Sequence, residues 1–135
     1  PKTPKPQVER FRNLKFKFLR KQTDYAFTVN MVEITQELLR KRAEHNEMML
    51  STLEEVSLHQ QNIARISNLD RYCRHLKILF LQNNLIEKLE GLSKLKELEY
   101  LNMAVNSVNS VKGIRRCESL NKLDMTLNFI DLEDL

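Results

Sequence analysis

A few side chains in this 135-residue sequence are of types that carry chemistry. Ser57 and His59 stand two apart, the spacing that sets both on one face of a strand as a nucleophile beside a base, and Asp124 is the acid available to orient them. Cys73 and Cys117 offer thiols for a disulfide or a metal, and His45 offers an imidazole. Each option lacks its complement. Acyl transfer needs an oxyanion-binding loop as well, and no glycine-rich turn accompanies Ser57. His45 is followed by Asn46 and Glu47 with no second ligand at helical spacing, so it reads as a structural histidine at a helix end. The sequence therefore predicts no enzyme, no cofactor and no metal site.

The elements that must position these residues emerge from a repeat. Leu76 to Asn106 reads LKILFLQNNLIEKLEGLSKLKELEYLNMAVN, and a shift of 22 residues lays Leu79 on Leu101, Leu81 on Met103, Asn84 on Asn106 and Ile86 on Val108. The L-x-x-L-x-L-x-x-N-x-I pattern is that of a leucine-rich repeat, whose single unit cannot bury its own apolar side and must stack on neighbours. Opening leucines at Leu53, Leu76, Leu98 and Leu120 and the slot Gln61, Asn84, Asn106 and Asn128 keep one spacing, 23, 22 and 22 residues, over four copies. Cys73 and Cys117 both lie three residues before an opening leucine, the slot that Leu95 fills, and so read as buried core residues. Two repeats apart they are about 10 Å from one another, too far for a bridge.

Composition agrees with a soluble globular chain: 41% hydrophobic and 30% charged residues, with no apolar run that approaches a bilayer span and no signal-peptide pattern at the start. A cytoplasmic protein follows. The net charge of +4 is uneven, because residues 1–30 hold eight Lys/Arg against two acids while the remaining 105 residues hold fourteen against sixteen. Residues 1–30 begin PKTPKP and form a basic extension, read as disordered or non-native. Val8, Phe11, Leu14 and Phe18 would share one face if it were helical, suited to an anionic membrane or a partner. Residues 31–52 are read as an N-terminal capping helix, starting at Thr35 as N-cap and running to about Leu50, and residues 53–135 as four repeats, the last incomplete.

Strand alternation turns Leu79 and Leu81 inward and leaves Ile78, Phe80 and Gln82 on the opposite, concave face. The matching positions are Glu55, Ser57 and His59 in repeat one, Tyr100, Asn102 and Ala104 in repeat three, and Lys122, Asp124 and Thr126 in repeat four. The asparagine column is predicted to point inward and satisfy backbone groups at the turn off each strand, with Gln61 standing in at the first copy. Asn68, Gly91 and Gly113 follow at seven residues, types that tolerate the left-handed backbone, so the convex return is predicted to turn there. Repeat four reaches Leu135 without a capping element, and the natural protein is expected to continue.

Beyond the repeat consensus, the strings ITQELLRKRAEHN, STLEEVSLHQ, YCRHLKILFLQNNLI, KLKELEYLN and CESLNKLDMTLNFI resemble the N-terminal region of the leucine-rich-repeat axonemal dynein assembly factors, the seahorse or touch-insensitive larva B family, within the SDS22-like class. The resemblance runs from Ile34 to Ile130 and includes non-consensus residues such as His45, His59, Cys73 and Cys117. It implies an α/β solenoid with short parallel strands on its concave face, and a cytoplasmic protein, with the cilium or flagellum as a second location, that helps preassemble dynein arms. Implied partners are dynein assembly factors, chaperones or axonemal dynein subunits. Residues 1–30 have no counterpart in that family, Met103 and Met125 replace the usual leucines, and the family's later repeats, repeat cap and C-terminal chaperone-like domain are missing.

The residues themselves predict a protein-binding scaffold whose partner face is His59, Ile78, Phe80, Gln82, Tyr100, Asn102, Lys122 and Asp124, because large apolar and aromatic side chains on a surface are the usual anchors of interfaces. The alternative is an SDS22-like adaptor with another client, in phosphatase regulation, as a motor light chain or in ribonucleoprotein assembly. A nucleic-acid partner is disfavoured, since the repeat body is slightly acidic and its concave face lacks a basic stripe. Residues 1–30 have no repeat slot to fill, so their deletion is expected to leave thermal stability nearly unchanged. A melting curve that drops sharply on deletion would show instead that the basic stretch docks on the repeats.

Overall fold

The computed structural model describes residues 30–131 and Glu133, which apart from Asn30 lie in the compact unit Met31–Leu135. The expectations for the basic extension lie outside the described residues. Four strands of three residues each, β1 (Glu55–Ser57), β2 (Ile78–Phe80), β3 (Tyr100–Asn102) and β4 (Lys122–Asp124), form one sheet in chain order. All pairings are parallel, and Val56, Leu79, Leu101 and Leu123 face one another in register. The sequence period has become the strand register: residues one repeat apart are neighbours across the sheet.

That register stacks the leucines. Val56, Leu58, Leu79, Leu81, Leu101 and Met103 are fully buried on the inner side of the strands, joined by Leu53, Leu76, Leu92, Leu95 and Leu98 from the returns. Each such side chain contributes about 1.5–3 kcal/mol by leaving water. Leu123 remains 36% exposed and Met125 is only partly buried, because β4 has a neighbouring strand on one side only. Cys73 and Cys117 are buried, unbridged thiols in the predicted slot. Burial pushes the Cys73 thiol up to about 11, and raises that of Cys117 as well.

The asparagine column behaves as predicted in three of its four positions. Asn106 Oδ1 accepts from the backbone N–H of Ile86 at 3.0 Å, while its Nδ2 donates to the carbonyls of Leu81 and Met103 at 2.9 and 3.1 Å. Asn84 accepts from Gln61 and Ile63 and donates to Leu58 and Leu81; Asn128 accepts from Val108 and donates to Met103 and Met125. Each asparagine thus ties its own turn to the turn of the preceding repeat. Gln61 does not. Its Nε2 bonds to the carbonyls of His59 and Gln60 within its own turn, since among the described residues β1 is the edge strand and no repeat turn precedes it.

The returns depart from expectation at one glycine. Asn68 and Gly91 adopt the left-handed backbone, with φ of 63° and 69°. Gly113 does not; it sits in a 3-10 turn, Lys112–Ile114, and is glycine for another reason. A Cβ there would lie 1.6 Å from the Leu89 carbonyl oxygen and 2.5 Å from its carbon, so the chain has to lack a side chain to pass the backbone of the repeat before. The return of repeat one, which is one residue longer, carries a single helical turn at Leu69–Tyr72.

Ahead of the sheet, α1 (Gln36–Arg42) starts as predicted, with Thr35 Oγ1 accepting from the Leu38 N–H at 3.1 Å and Leu39 fully buried. It ends earlier than the helical spacing suggested. A 3-10 turn at Glu44–Asn46 follows, and Glu47 and Met48 are left-handed. The Asn46 side chain bonds the Met49 carbonyl and the Thr52 hydroxyl, a local competitor of helix, and the turn lets Leu50 and Leu53 drop into the core. The later helix, α2 (Leu69–Tyr72), is one turn long. Val32 donates to the Asn62 carbonyl and Asn68 to that of Ile34, and His45 Nε2 lies 3.1 Å from the carbonyl of Glu55. The structural role predicted for His45 is thus on the outer edge of β1.

Asn106→Ala would leave the buried Ile86 N–H without a partner and remove one of two amide donors from each of the Leu81 and Met103 carbonyls, which keep Asn84 and Asn128, and is expected to destabilise by roughly 2–3 kcal/mol. Asn128→Ala, in a half-open site, costs less. Gly113→Ala is expected to cost more than Gly91→Ala even though Gly91 holds the unusual φ, because the strain at Gly91 is only about 1–2 kcal/mol while Gly113 must move backbone. Urea unfolding of the four variants gives the order, and a neutral Gly113→Ala would disprove the close approach.

Candidate protein-interaction face

The outward side of the sheet carries three rows set by strand register. Glu55, Ile78, Tyr100 and Lys122 pair across β1 to β4, as do Ser57, Phe80, Asn102 and Asp124. Past the strand ends, His59, Gln82, Ala104 and Thr126 continue the same alternation. Ile78, Phe80, Gln82, Tyr100, Asn102, Asp124 and His59 are half-buried and Lys122 is exposed. All eight predicted residues are on this side. The rigid leucine packing beneath allows the face to keep side chains that have no core role.

Its centre is an aromatic pair. The Phe80 and Tyr100 rings meet edge to face, with centroids 5.6 Å apart and planes at 87°. Lys122 Nζ lies 4.5 Å from the centroid of the Tyr100 ring on its other side, a cation–π contact worth about 0.5–1 kcal/mol at an exposed site. Asn102 Nδ2 reaches the Tyr100 hydroxyl at 3.3 Å, and its Oδ1 accepts from the Ala104 N–H at 3.0 Å. Asp124 Oδ1 accepts from both the hydroxyl and the N–H of Thr126, which holds its carboxyl below the usual carboxylate range.

The polar pair of repeat one is also assembled. Ser57 Oγ and His59 Nδ1 are 2.7 Å apart. Asp124 is not brought to them, because β1 and β4 are the two outer strands of the sheet with β2 and β3 between. Among the described residues there is no group of three His, Cys, Asp or Glu that could hold a metal ion, and no helix is long and apolar enough to cross a membrane.

Two features escaped the sequence. Gln60, Asn83, Val105 and Leu127, each just before the asparagine slot, all have positive φ of 51–57°. Only Asn83 is a type that announces such a backbone; in Val105 the β-branch argues against it. The second is Gln82, whose Oε1 is buried without a hydrogen-bond partner. No residue pattern signals that.

The fold and this face define a leucine-rich-repeat protein. No family model matches the chain. Crystal structures of two internalins from Listeria monocytogenes share the architecture: internalin C2, with TM-score 0.58 and 26% identity over 64% of this chain and 38% of that one, and a second internalin, with TM-score 0.56 and 22% identity over 75% and 26%. Sequence relatives narrow the group. The chain is 60% identical over 100 residues to dynein axonemal assembly factor 11 of Mus musculus, covering 74% of this chain and 21% of that protein. It is 61% identical over 75 residues to protein tilB of Drosophila melanogaster, 56% of this chain and 19% of that one. It is 55% identical over 100 residues to dynein axonemal assembly factor 11 of Trypanosoma brucei brucei, 74% and 26%. The chain is homologous to the proteins of that name, and spans about a fifth to a quarter of their length.

A double-mutant cycle on Phe80→Ala and Tyr100→Ala is expected to return a coupling of about 0.5–1.5 kcal/mol, the range for an edge-to-face pair. Unfolding by urea is the measurement. A coupling near zero would show that the two rings do not meet in solution.

Proposed function

We propose that this chain is a non-enzymatic protein-binding scaffold for axonemal dynein assembly, working in the cytoplasm, and that it holds a protein partner on the concave centre formed by Ile78, Phe80 and Tyr100. The observation that carries the assembly role is the 60% identity to dynein axonemal assembly factor 11. An aligned span of 100 residues in a chain of 135 contains residues 36–100 wherever it begins, so all three residues of the concave centre lie inside it. Large half-buried rings on an outward face support the choice of site, since such groups gain most when a partner removes their remaining water contact. Partners in this reading are axonemal dynein subunits, other assembly factors or chaperones. The capping role of α1 belongs to the same proposal: it would close the leucine core at the β1 end.

The test is recovery of axonemal dynein subunits and assembly factors by the tagged chain in extracts of ciliated cells, with and without Phe80→Ala plus Tyr100→Ala. Truncating two anchors at about 2 kcal/mol each is expected to weaken binding roughly a thousandfold, which takes recovery to background. The same change costs about 1 kcal/mol of cross-strand pairing, a fall of only a few degrees in Tm. Unchanged recovery of those partners by the variant would remove the concave centre from the function. No recovery by the unaltered chain would remove the assembly reading for this segment.

A further inference from the structure

Read across the strands, the first row of the concave face is an acid, an aliphatic side chain, an aromatic ring and a base: Glu55, Ile78, Tyr100 and Lys122. Glu55 and Lys122 are both exposed, at opposite edges of the sheet. Of the other charges beside this row, Asp124 has its carboxylate met by the hydroxyl and N–H of Thr126, and Lys77, just ahead of β2, is paired with Glu54. Past the end of β2 on the same face, four residues beyond Ile78, Gln82 is half-buried and its Oε1 has no hydrogen-bond partner. An acceptor enclosed in this way costs stability in the free protein. Rotation of the amide toward the open side of the residue would let the oxygen meet a donor brought by another molecule. Beside it in the same row stands Ala104, whose small side chain leaves room for an approaching backbone.

We infer that the concave face selects a protein segment that crosses the strands in one direction, with a basic residue over Glu55, an apolar side chain on Ile78 and Tyr100, and an acidic residue at Lys122, and that Gln82 accepts an N–H of that segment where it runs on past the strand ends. The inference rests on the concave-centre reading above and supplies its direction and chemistry. Charge order gives the direction, because a segment laid down in reverse would set like charges against Glu55 and Lys122. The apolar middle supplies contact area, and the amide of Gln82 fixes position along the strands, since a buried carbonyl is costly to leave without a donor. Lys122 takes part without leaving the Tyr100 ring, as an ammonium has three donors and one face on the ring still leaves N–H groups for a carboxylate.

The probe is a random peptide library displayed on phage and selected against the whole chain, with the best binder then synthesised. Selected peptides are expected to share a basic, apolar, acidic order, and selection against Glu55→Lys is expected to exchange the basic position for an acidic one. Gln82→Met keeps size and removes the amide. It is expected to raise Tm by a few degrees, because the orphaned acceptor is gone, and to weaken the synthesised peptide about tenfold. Opposite signs in stability and affinity are what a merely structural glutamine would not give. Absence of a common charge order, an order that ignores Glu55→Lys, or equal affinity for Gln82→Met would each overturn the inference. The partner-capture experiment is independent of these outcomes: if capture depends on Phe80 and Tyr100 while the library shows no order, the scaffold reading stands and this one falls.

Discussion

The backbone at the exit of each strand sets the terms for the rest of the structure. A chain that leaves a parallel sheet every 22 residues must turn inside its own core, where N–H and C=O groups have no water to bond. Asn84, Asn106 and Asn128 solve this with one side chain per turn, each donating to carbonyls of two successive repeats and accepting an N–H of the repeat before. The same bonds fix the spacing between neighbouring repeats, so the leucines of adjacent units meet in register. Hydrophobic burial supplies most of the free energy of the stack and opposes a slip of one residue, which would turn the leucines outward, and the asparagine bonds add a fixed approach of each turn to the next. The exposed ion pairs between repeats, such as Lys77 with Glu54 and Lys96 with Glu118, are screened by solvent and add little to that.

Because packing is confined to the inner side of three-residue strands, the outer side is free of structural duty. On β2 and β3 every alternate residue is a core leucine, and the residues between them are Ile78, Phe80, Tyr100 and Asn102. The rings lie against one another and against Lys122, and this limits their rotamers before any partner arrives. A face already ordered in this way loses less side-chain entropy on docking, about 0.5–1.5 kcal/mol for each side chain that does not have to be immobilised. Flexible long side chains in the same places would present similar area with weaker selection of geometry.

Periodicity made most of this legible. A 22-residue shift of two residue types yields strand register, inner and outer faces, the asparagine ladder and the buried thiols, because each of these depends on spacing alone. What it does not yield depends on approach distances or on competition. Gly113 has the same slot as Gly91, yet one is glycine to clear the Leu89 carbonyl and the other to hold a φ of 69°; sequence cannot tell a steric reason from a conformational one. Gln61 occupies an asparagine slot, but the slot's function requires a preceding repeat, and the first repeat has none. The early end of α1 reflects Asn46 choosing local carbonyl and hydroxyl partners over helix. Alternation assigns the eight candidates to the concave face, and the contact of Phe80 with Tyr100 is legible from their adjacent strands, whereas the position of Lys122 over the Tyr100 ring depends on side-chain rotation.

The left-handed turns show how strongly the strand exit dominates local preference. Val105 and Leu127 are held at φ of 56°, a region that costs an L-residue with a Cβ about 1–2 kcal/mol, and the β-branch of valine makes it worse. Neither residue gains burial in return, since Val105 is 37% and Leu127 70% exposed. The next residue in each case is a ladder asparagine, and its three backbone bonds require the chain to arrive from that direction. With a hydrogen bond to a buried group worth about 1 kcal/mol net, and an orphaned group costing more, three bonds exceed the strain of one turn. Gln60 has the same backbone, with φ of 51°, although Gln61 makes no bond to a preceding repeat, so the left-handed turn belongs to the strand exit in every repeat, the asparagine bonds offset its strain where they form, and the sequence is at liberty to place apolar side chains on the rim beside the concave face.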